Sequence, residues 1–154
     1  MPCHIGLLGA EPDKEVIFNV NSTVSSVLEE YKANSFKRET RKTEILDKIV
    51  ALPGNGLKLS DFIKLDVLGY ELEVLKGASK ILKSIQFILG DVSLLEINKG
   101  CRLIFDVNKF MDEKGITTYD ICSFIRRPLD KALWQTDILF IRKIHPLIQN
   151  KHWD

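Results

Sequence analysis

An acidic residue lies near the end of an apolar stretch in the middle of the chain. The stretch spans residues 62–67, is apolar except for Lys64 and Asp66, and is soon followed by Gly69. A carboxylate within an apolar run must be desolvated or paired, and at the mouth of a strand it can accept a proton from a ligand. The alternation of side chains along a strand places Lys64 on the same face as Asp66. Two interpretations of Asp66 therefore stay open: an ion pair with Lys64, or an acid with a functional role.

A second acid, Glu96, lies near the end of the next apolar segment. In an open parallel sheet, ligands bind outside the carboxyl ends of the strands. If the two strands are neighbours, Asp66 and Glu96 border one crevice. Two further acids, Glu71 and Glu73, fall in the first turn of a predicted helix, where the helix dipole favours negative charge. The helix dipole is therefore sufficient to explain an acid at Glu73 without a functional role.

The elements that must position these acids alternate along the chain. The predicted strands are rich in apolar and β-branched residues and span 4–10, 15–20, 62–67, 87–97, 117–125 and 135–143. The predicted helices carry apolar residues at helical spacing and span 43–52, 71–84 and 103–115. We therefore expect one α/β domain over residues 1–154, with a mostly parallel sheet and antiparallel closing strands.

Two stretches concentrate basic residues. Residues 37–42 read KRETRK, and residues 124–134 read FIRRPLDKALW. Each could hold an anionic group, but acids lie between the basic residues in both. The sequence favours a solvated polar loop in both places.

Composition excludes several classes of protein. The formal net charge of +1 argues against a dominant nucleic-acid surface, and no uncharged apolar run reaches the roughly 18 residues of a membrane helix. The first residues lack the pattern of a signal peptide. The three cysteines form no CxxC pair, which is typical of a reduced cytoplasmic protein. The three histidines have no ligand spacing, so no metal site is predicted.

The residues around Asp66 also carry a family resemblance. FIKLDVLGYELEVLKGASKIL, residues 62–82, closely resembles the signature of the FkbM-type S-adenosylmethionine-dependent methyltransferases. Weaker similarity extends from about residue 4 to about residue 143. One departure is Leu68, where the family commonly has Glu or Gln. The resemblance implies a Rossmann-like methyltransferase fold and, in most members, O-methylation of a small molecule or sugar hydroxyl.

The resemblance also implies roles for individual residues. Asp66 is the predicted catalytic base and Glu96 its reserve. Lys64, Asp66 and Gly69 are the predicted cofactor-binding residues. The serine pair of the family's active-site mouth corresponds to Ser25 and Ser26, which are predicted to contact a small-molecule hydroxyl acceptor.

Part of the family pattern has no counterpart in this sequence. The family's first strand carries a Gly-rich loop for the methionine part of S-adenosylmethionine, and its second strand ends in an acid for the ribose. Neither motif is found here. The resemblance thus covers the C-terminal, acceptor-side portion of the fold, and we expect this chain alone to bind S-adenosylmethionine poorly.

The missing first strand would lie beside residues 62–67 and leave an uncovered sheet edge. Residues 4–10 could cover that edge, another chain could do so, or the sequence is part of a longer protein. Homo-oligomer formation therefore stays open. The alternative to an enzyme is a non-catalytic remnant that acts as a binding or assembly module.

Overall fold

A computed structural model of the chain describes residues 4–21, 25–31, 37–51 and 62–153. The strands are β1 (Leu7–Leu8), β2 (Glu15–Val20), β3 (Lys37–Glu44), β4 (Phe62–Leu65), β5 (Phe87–Ser93), β6 (Ile116–Ile121), β7 (Ile125–Arg126) and β8 (Leu133–Arg142). The helices are α1 (Leu46–Val50), α2 (Glu71–Lys76), α3 (Ile104–Glu113) and α4 (Pro146–Gln149). Among the described residues, the fold is α/β with two mixed sheets.

The main sheet has the strand order β4-β5-β8-β6, with β7 also paired to β8. β4 and β5 are parallel, as predicted, and Leu65 pairs with Gly90. β8 lies antiparallel between β5 and β6, which confirms the antiparallel closing strands. The prediction of a mostly parallel sheet is wrong. Within the described residues, β4 and β5 are the only parallel neighbours of this sheet, because β8 lies between β5 and β6, the parallel strands that α3 connects.

A smaller sheet has the order β1-β3-β2. β2 and β3 form an antiparallel pair, and β1 is parallel to β3. The loop predicted for residues 37–42 is wrong, because cross-strand pairing with β2 makes these residues a strand despite their charge. Their charges are paired: Arg41 contacts Glu39 at 2.6 Å and lies over the ring of Phe18 at 5.2 Å.

The sequence leaves three explanations open for the edge of β4: coverage by residues 4–10, coverage by another chain, or a longer protein. Because β1 pairs with β3, residues 4–10 do not cover this edge. Among the described residues, β5 is the only strand paired with β4. Homo-oligomer formation through that edge stays a prediction.

The main hydrophobic core lies between the main sheet and the helices α2 and α3. Its fully buried residues include Leu75, Ile88, Val107, Met111 and Phe140. The apolar periodicity of residues 103–115 correctly predicted α3, whose buried stripe is Val107 and Met111. These contacts hold the carboxyl ends of β4 and β5 at one edge of a packed layer.

α2 is shorter than the helix predicted over 71–84. It ends at Lys76, and a separate 3-10 turn covers Ile81–Lys83. The Asp47 carboxylate accepts hydrogen bonds from the backbone N–H groups of Lys80 and Ile81 at 2.7 and 3.0 Å. These bonds replace helical ones and start the new turn, because short acidic side chains compete for backbone donors.

Gly77 ends α2 for a packing reason. A Cβ atom at this position would lie 2.2 Å from the carbonyl oxygen of Gly9. The sequence shows only the propensity cost of a glycine within a helix, about 1 kcal/mol relative to alanine. The structure shows that the glycine lets the small sheet approach α2 closely.

Within the described ranges, no helix is long and apolar enough to cross a membrane. No group of three or more His, Cys, Asp or Glu side chains in these ranges is arranged to hold a metal ion. Cys101 is buried and Cys122 exposed, and both are free thiols. Cys3 lies outside the described residues.

Candidate functional site

A cavity of about 450 Å³ lies between the small sheet and the carboxyl end of β4. Its polar wall includes Ser25, Ser26 and Asp66, and Tyr70 adds an aromatic ring. The apolar wall is formed by Leu7, Leu8, Phe18, Val27, Val67, Leu68 and Val74. The volume is within the range of sites for small organic molecules, and a mostly apolar wall with few polar groups is typical of them.

Asp66 lies one residue beyond β4 and on the wall of this cavity. Its Oδ2 atom lies 3.3 Å from Nζ of Lys64, so the predicted ion pair is present. Both side chains are 56% exposed, and such a pair contributes about 1 kcal/mol or less. The ion pair therefore adds little to the free energy of unfolding and does not by itself explain an acid at position 66. The carboxylate of Asp66 remains accessible to a ligand.

A second carboxylate, that of Asp91, lies behind Asp66. Leu65 of β4 pairs with Gly90 of β5 in the parallel register. Asp66 is the next residue after Leu65 and Asp91 the next after Gly90, so the two acids are at neighbouring positions. Asp91 is only 6% exposed. Its Oδ2 accepts a hydrogen bond from the side-chain amide of Gln135, whereas its buried Oδ1 has no hydrogen-bond partner among the described residues.

Burial is the main cause of a strongly shifted pKa at Asp91. The negative charges of Glu71, Asp66 and Asp137 add to it, and together they raise the pKa of Asp91 to about 7, against a smaller opposing effect of Lys64. The group is therefore close to half-protonated at neutral pH. A buried carboxyl group with such a pKa, next to an acid that lines a cavity, is a candidate for a functional group.

Glu71 holds the turn that joins β4 to α2. Its Oε1 accepts hydrogen bonds from the backbone N–H groups of Val67 and Gly69, at 3.2 and 3.0 Å. Burial raises the pKa of Glu71, and these backbone bonds oppose the shift. Leu68 and Gly69 both have positive φ angles, of 55° and 91°. The carboxylate therefore fixes a strained turn beside Asp66.

Gly69 is required at this turn by conformation and by space. Its φ angle lies in the left-handed region that favours glycine. A Cβ atom here would lie 2.4 Å from Cβ of Cys101. Its predicted cofactor contact stays a prediction, and its observed role is to let the chain turn against residue 101.

Replacing Glu71 by alanine is expected to lower the free energy of unfolding by about 2–4 kcal/mol. The reason is that two backbone N–H groups lose their acceptor, at about 1–3 kcal/mol for each buried group. Glu71→Gln keeps an acceptor oxygen and should lose clearly less. Urea unfolding at pH 7 measures the difference. Glu113→Ala, at the exposed end of α3, is the control, and an equal loss in both alanine variants would contradict this role.

Glu96 lies in an exposed turn beyond β5. Its Oε1 accepts a hydrogen bond from the Gly100 N–H at 2.7 Å and one from the Tyr31 hydroxyl at 3.3 Å. The charge of Glu96 is also the main cause that raises the pKa of Tyr31. Among the described residues, Glu96 is not part of the wall of the Asp66 cavity. Its catalytic role as the reserve base stays a prediction.

The serine pair lies on the cavity wall, and both hydroxyl oxygens also hold the local backbone. Oγ of Ser25 accepts a hydrogen bond from the Asn21 N–H at 2.9 Å and donates one to the Asn21 carbonyl. Oγ of Ser26 accepts one from the Leu28 N–H at 3.1 Å. The structure thus brings both serines to the cavity of Asp66, and their contact with an acceptor stays a prediction.

Asp91 and Gln135 are the site residues that the sequence did not single out. Asp91 lies inside the predicted strand of residues 87–97, and β5 runs without interruption to Ser93 and pairs with β8 along its whole length. A usable signal was present, because Asp91 is an acid within an apolar run, as Asp66 is. Nothing in the sequence indicated that Gln135 would lie beside it.

The family model for the methyltransferase FkbM domain matches residues 11–130. The matched region contains Asp66, Glu71 and Asp91 together with both serines. No curated protein and no solved structure matches the chain. Because the match covers most of the sequence, the chain belongs to the FkbM methyltransferase family.

Proposed function

We propose that this chain acts in S-adenosylmethionine-dependent methyl transfer to a hydroxyl oxygen of a small molecule or sugar. The observation that carries the proposal is the position of Asp66. The carboxylate lies on the wall of a cavity of about 450 Å³, at the carboxyl end of a strand in a parallel pair. Family membership supplies the reaction class, and the accessible acid supplies a proton acceptor for a hydroxyl group.

The electrostatics of the site suit a positively charged methyl donor. Beside burial, the charges of Glu71 and Asp66 raise the pKa of Asp91, and Lys64 is the cation that opposes them. This region therefore carries net negative charge. S-adenosylmethionine has a sulfonium centre, and the cavity offers it a carboxylate with apolar walls. These residues fit the charged centre of the donor.

When bound, S-adenosylmethionine supplies an electrophilic methyl group on sulfur. The residues of this chain then act on the acceptor. Asp66 would accept the hydroxyl proton as that oxygen takes the methyl group and the bond between the methyl carbon and sulfur breaks, with S-adenosylhomocysteine as the leaving group. The apolar side chains of Val67 and Leu68 limit water beside that oxygen, and Glu71 keeps the turn in place. Correct positioning supplies much of the rate in such a reaction.

We also infer that the main sheet is the acceptor-side part of a Rossmann-like methyltransferase fold. The parallel pair β4-β5, followed by β8 inserted between β5 and β6, supports this assignment. In such a sheet the carboxyl ends of parallel strands carry the ligand site. Asp66 is located at that end.

The donor should bind weakly and at one site per chain. We expect calorimetric titration with S-adenosylmethionine to give a dissociation constant well above the micromolar range, because the sequence lacks the family's Gly-rich loop and ribose-binding acid. Several polar contacts at roughly 1 kcal/mol each amount to orders of magnitude in affinity. S-adenosylhomocysteine should compete for the same site, and labelled methyl groups should reach hydroxylated acceptors from a panel of sugars and small alcohols.

Two outcomes would contradict parts of this proposal. Micromolar binding would mean that the described cavity supplies the contacts assigned to the missing loop. Absence of both binding and transfer with every acceptor would favour the non-catalytic binding or assembly module instead.

A further inference from the structure

A second cavity, of about 240 Å³, adjoins the Asp66 cavity through the shared residue Tyr70. Two basic side chains line it, those of Lys14 and Arg102. Leu28 and the backbone of Gly69 and Gly100 complete most of its wall. The two cavities therefore have Tyr70 as a common wall residue.

Backbone hydrogen bonds hold both basic residues in place at this cavity. The Lys14 carbonyl accepts a hydrogen bond from the Thr43 N–H at 2.9 Å, which anchors it to β3. The Arg102 N–H donates to the Gly69 carbonyl at 3.4 Å. Lys14 and Arg102 are 88 positions apart in sequence, and the fold brings them to one cavity.

Lys14 and Arg102 form no ion pair with the part of the chain that the structure describes. Within the described ranges, no carboxylate lies at ion-pair distance from either of them. The acid in the wall, Glu73, contacts Lys76 at 2.6 Å. In contrast, Arg127 in the basic stretch of residues 124–134 is held by Asp130. The small cavity therefore carries net positive charge.

We propose that this second cavity binds an anionic group, a phosphate or a carboxylate, carried by the methyl acceptor. The backbone amides there are not the donors, because the Gly69 N–H is bonded to Glu71 and the Gly100 N–H to Glu96. The donors are the ammonium group of Lys14 and the guanidinium group of Arg102. Arginine matches the oxygens of phosphate and carboxylate with paired donors. An acceptor held here would place its uncharged end toward Tyr70 and Asp66.

This inference uses the proposed function only for the identity of the bound molecule, so its first test needs no methyl donor. The chain is titrated with inorganic phosphate, and in parallel with acetate, at constant ionic strength. Amide NMR shifts of Gly69, Gly100 and Arg102 report binding. We expect saturable shifts, with phosphate binding tighter than acetate. Acetate binding tighter than phosphate would identify a carboxylate as the preferred group, and no saturable shift with either anion would overturn the proposal.

Variants separate a site from general charge attraction. Lys14→Gln and Arg102→Gln should each weaken phosphate binding about tenfold, the loss expected for one charge-assisted hydrogen bond. The control is Lys80→Gln combined with Lys83→Gln, which removes two positive charges outside the cavity and should leave affinity within about twofold. Equal loss in the control and in the double variant of Lys14 and Arg102 would overturn the site.

A second arm connects the anion site to turnover. Hydroxylated acceptors are compared in pairs, with and without a phosphate monoester, and we expect a lower KM for the phosphorylated member that is lost in Arg102→Gln. Equal KM values within each pair would overturn the acceptor assignment. Saturable phosphate binding without any methyl transfer would leave the anion site standing and count against the proposed function.

Discussion

Asp91→Asn is expected to raise the free energy of unfolding at pH 8 by up to about 4 kcal/mol, less the cost of a buried amide N–H that has no acceptor among the described residues. The carboxyl group of Asp91 is buried and close to Glu71 and Asp66, and its pKa is raised from the ordinary 3.8 to about 7. When the group is ionised in both the folded and the unfolded chain, each unit by which folding raises its pKa lowers the free energy of unfolding by about 1.36 kcal/mol. Asparagine removes the charge and keeps an oxygen that accepts the hydrogen bond of Gln135.

The effect has a defined pH range. Below pH 3.8 the carboxyl group is protonated in the folded and the unfolded chain, so its charge costs nothing. Between pH 3.8 and about 7 the unfolded chain loses the proton first, and stability falls as pH rises. Above about pH 7 the penalty is constant. The two curves for Asp91→Asn and the original chain should therefore converge at low pH and separate toward pH 8.

Urea unfolding at pH 4, 6 and 8 measures this separation. Asp106→Asn is the matched control, because it makes the same change at an exposed position of α3, where surface substitutions stay within about 0.5 kcal/mol. If the Asp91 variant is no more stable than the original chain at pH 8, the burial of the ionised carboxyl group does not destabilise the fold, and the prediction is wrong.

A carboxyl group that lowers stability at neutral pH is expected where chemistry uses it. Functional sites often retain charged groups that a stable core would replace, and their removal then raises stability at the expense of activity. Asp91 lies one strand away from Asp66, whose negative charge adds to the burial that raises the pKa of Asp91. The position of Asp91 supports a role in proton transfer for Asp66 and Asp91 together, and not for Asp66 alone.

Strong local patterns predicted one half of the fold well. The apolar strands β4 and β5, the periodic helix α3 and the closing strands β6 and β8 follow from alternation and spacing that tertiary contacts reinforce. The same patterns placed Asp66 at the carboxyl end of a strand. Its neighbour was misidentified. Glu96 was expected at the end of β5, which stops at Ser93, so the acid beside Asp66 in the sheet is Asp91.

Other features depend on contacts that no local pattern contains. The charged run of residues 37–44 becomes a strand because β2 supplies its hydrogen bonds. The helix predicted over 71–84 divides because Asp47, more than thirty positions earlier, binds the backbone of Lys80 and Ile81. The joint position of Lys14 and Arg102 likewise depends on how the small sheet meets the turn at Gly69.

Asp66→Asn is expected to lower kcat for methyl transfer by about 10²- to 10⁴-fold, the usual contribution of a general base. The acceptor KM should change much less, because the cavity wall stays intact. The fold should also persist, since the ion pair with Lys64 is exposed and contributes about 1 kcal/mol or less. Transfer of labelled methyl groups to the best acceptor of the panel, at saturating donor, gives kcat and KM separately.

Three further variants decide which acid carries the proton. Glu96→Gln should reduce kcat far less than Asp66→Asn, because its carboxylate holds Gly100 and Tyr31 in an exposed turn, and Asp106→Asn should leave kcat unchanged. Asp91→Asn should change the pH dependence of kcat near pH 7, because burial, chiefly, raises the pKa of Asp91 to about 7 and the variant removes that ionisation. A large loss in Asp91→Asn with little loss in Asp66→Asn would exchange their roles and make the buried carboxylate the base. A large loss in Glu96→Gln alone would move the reaction out of the described cavity.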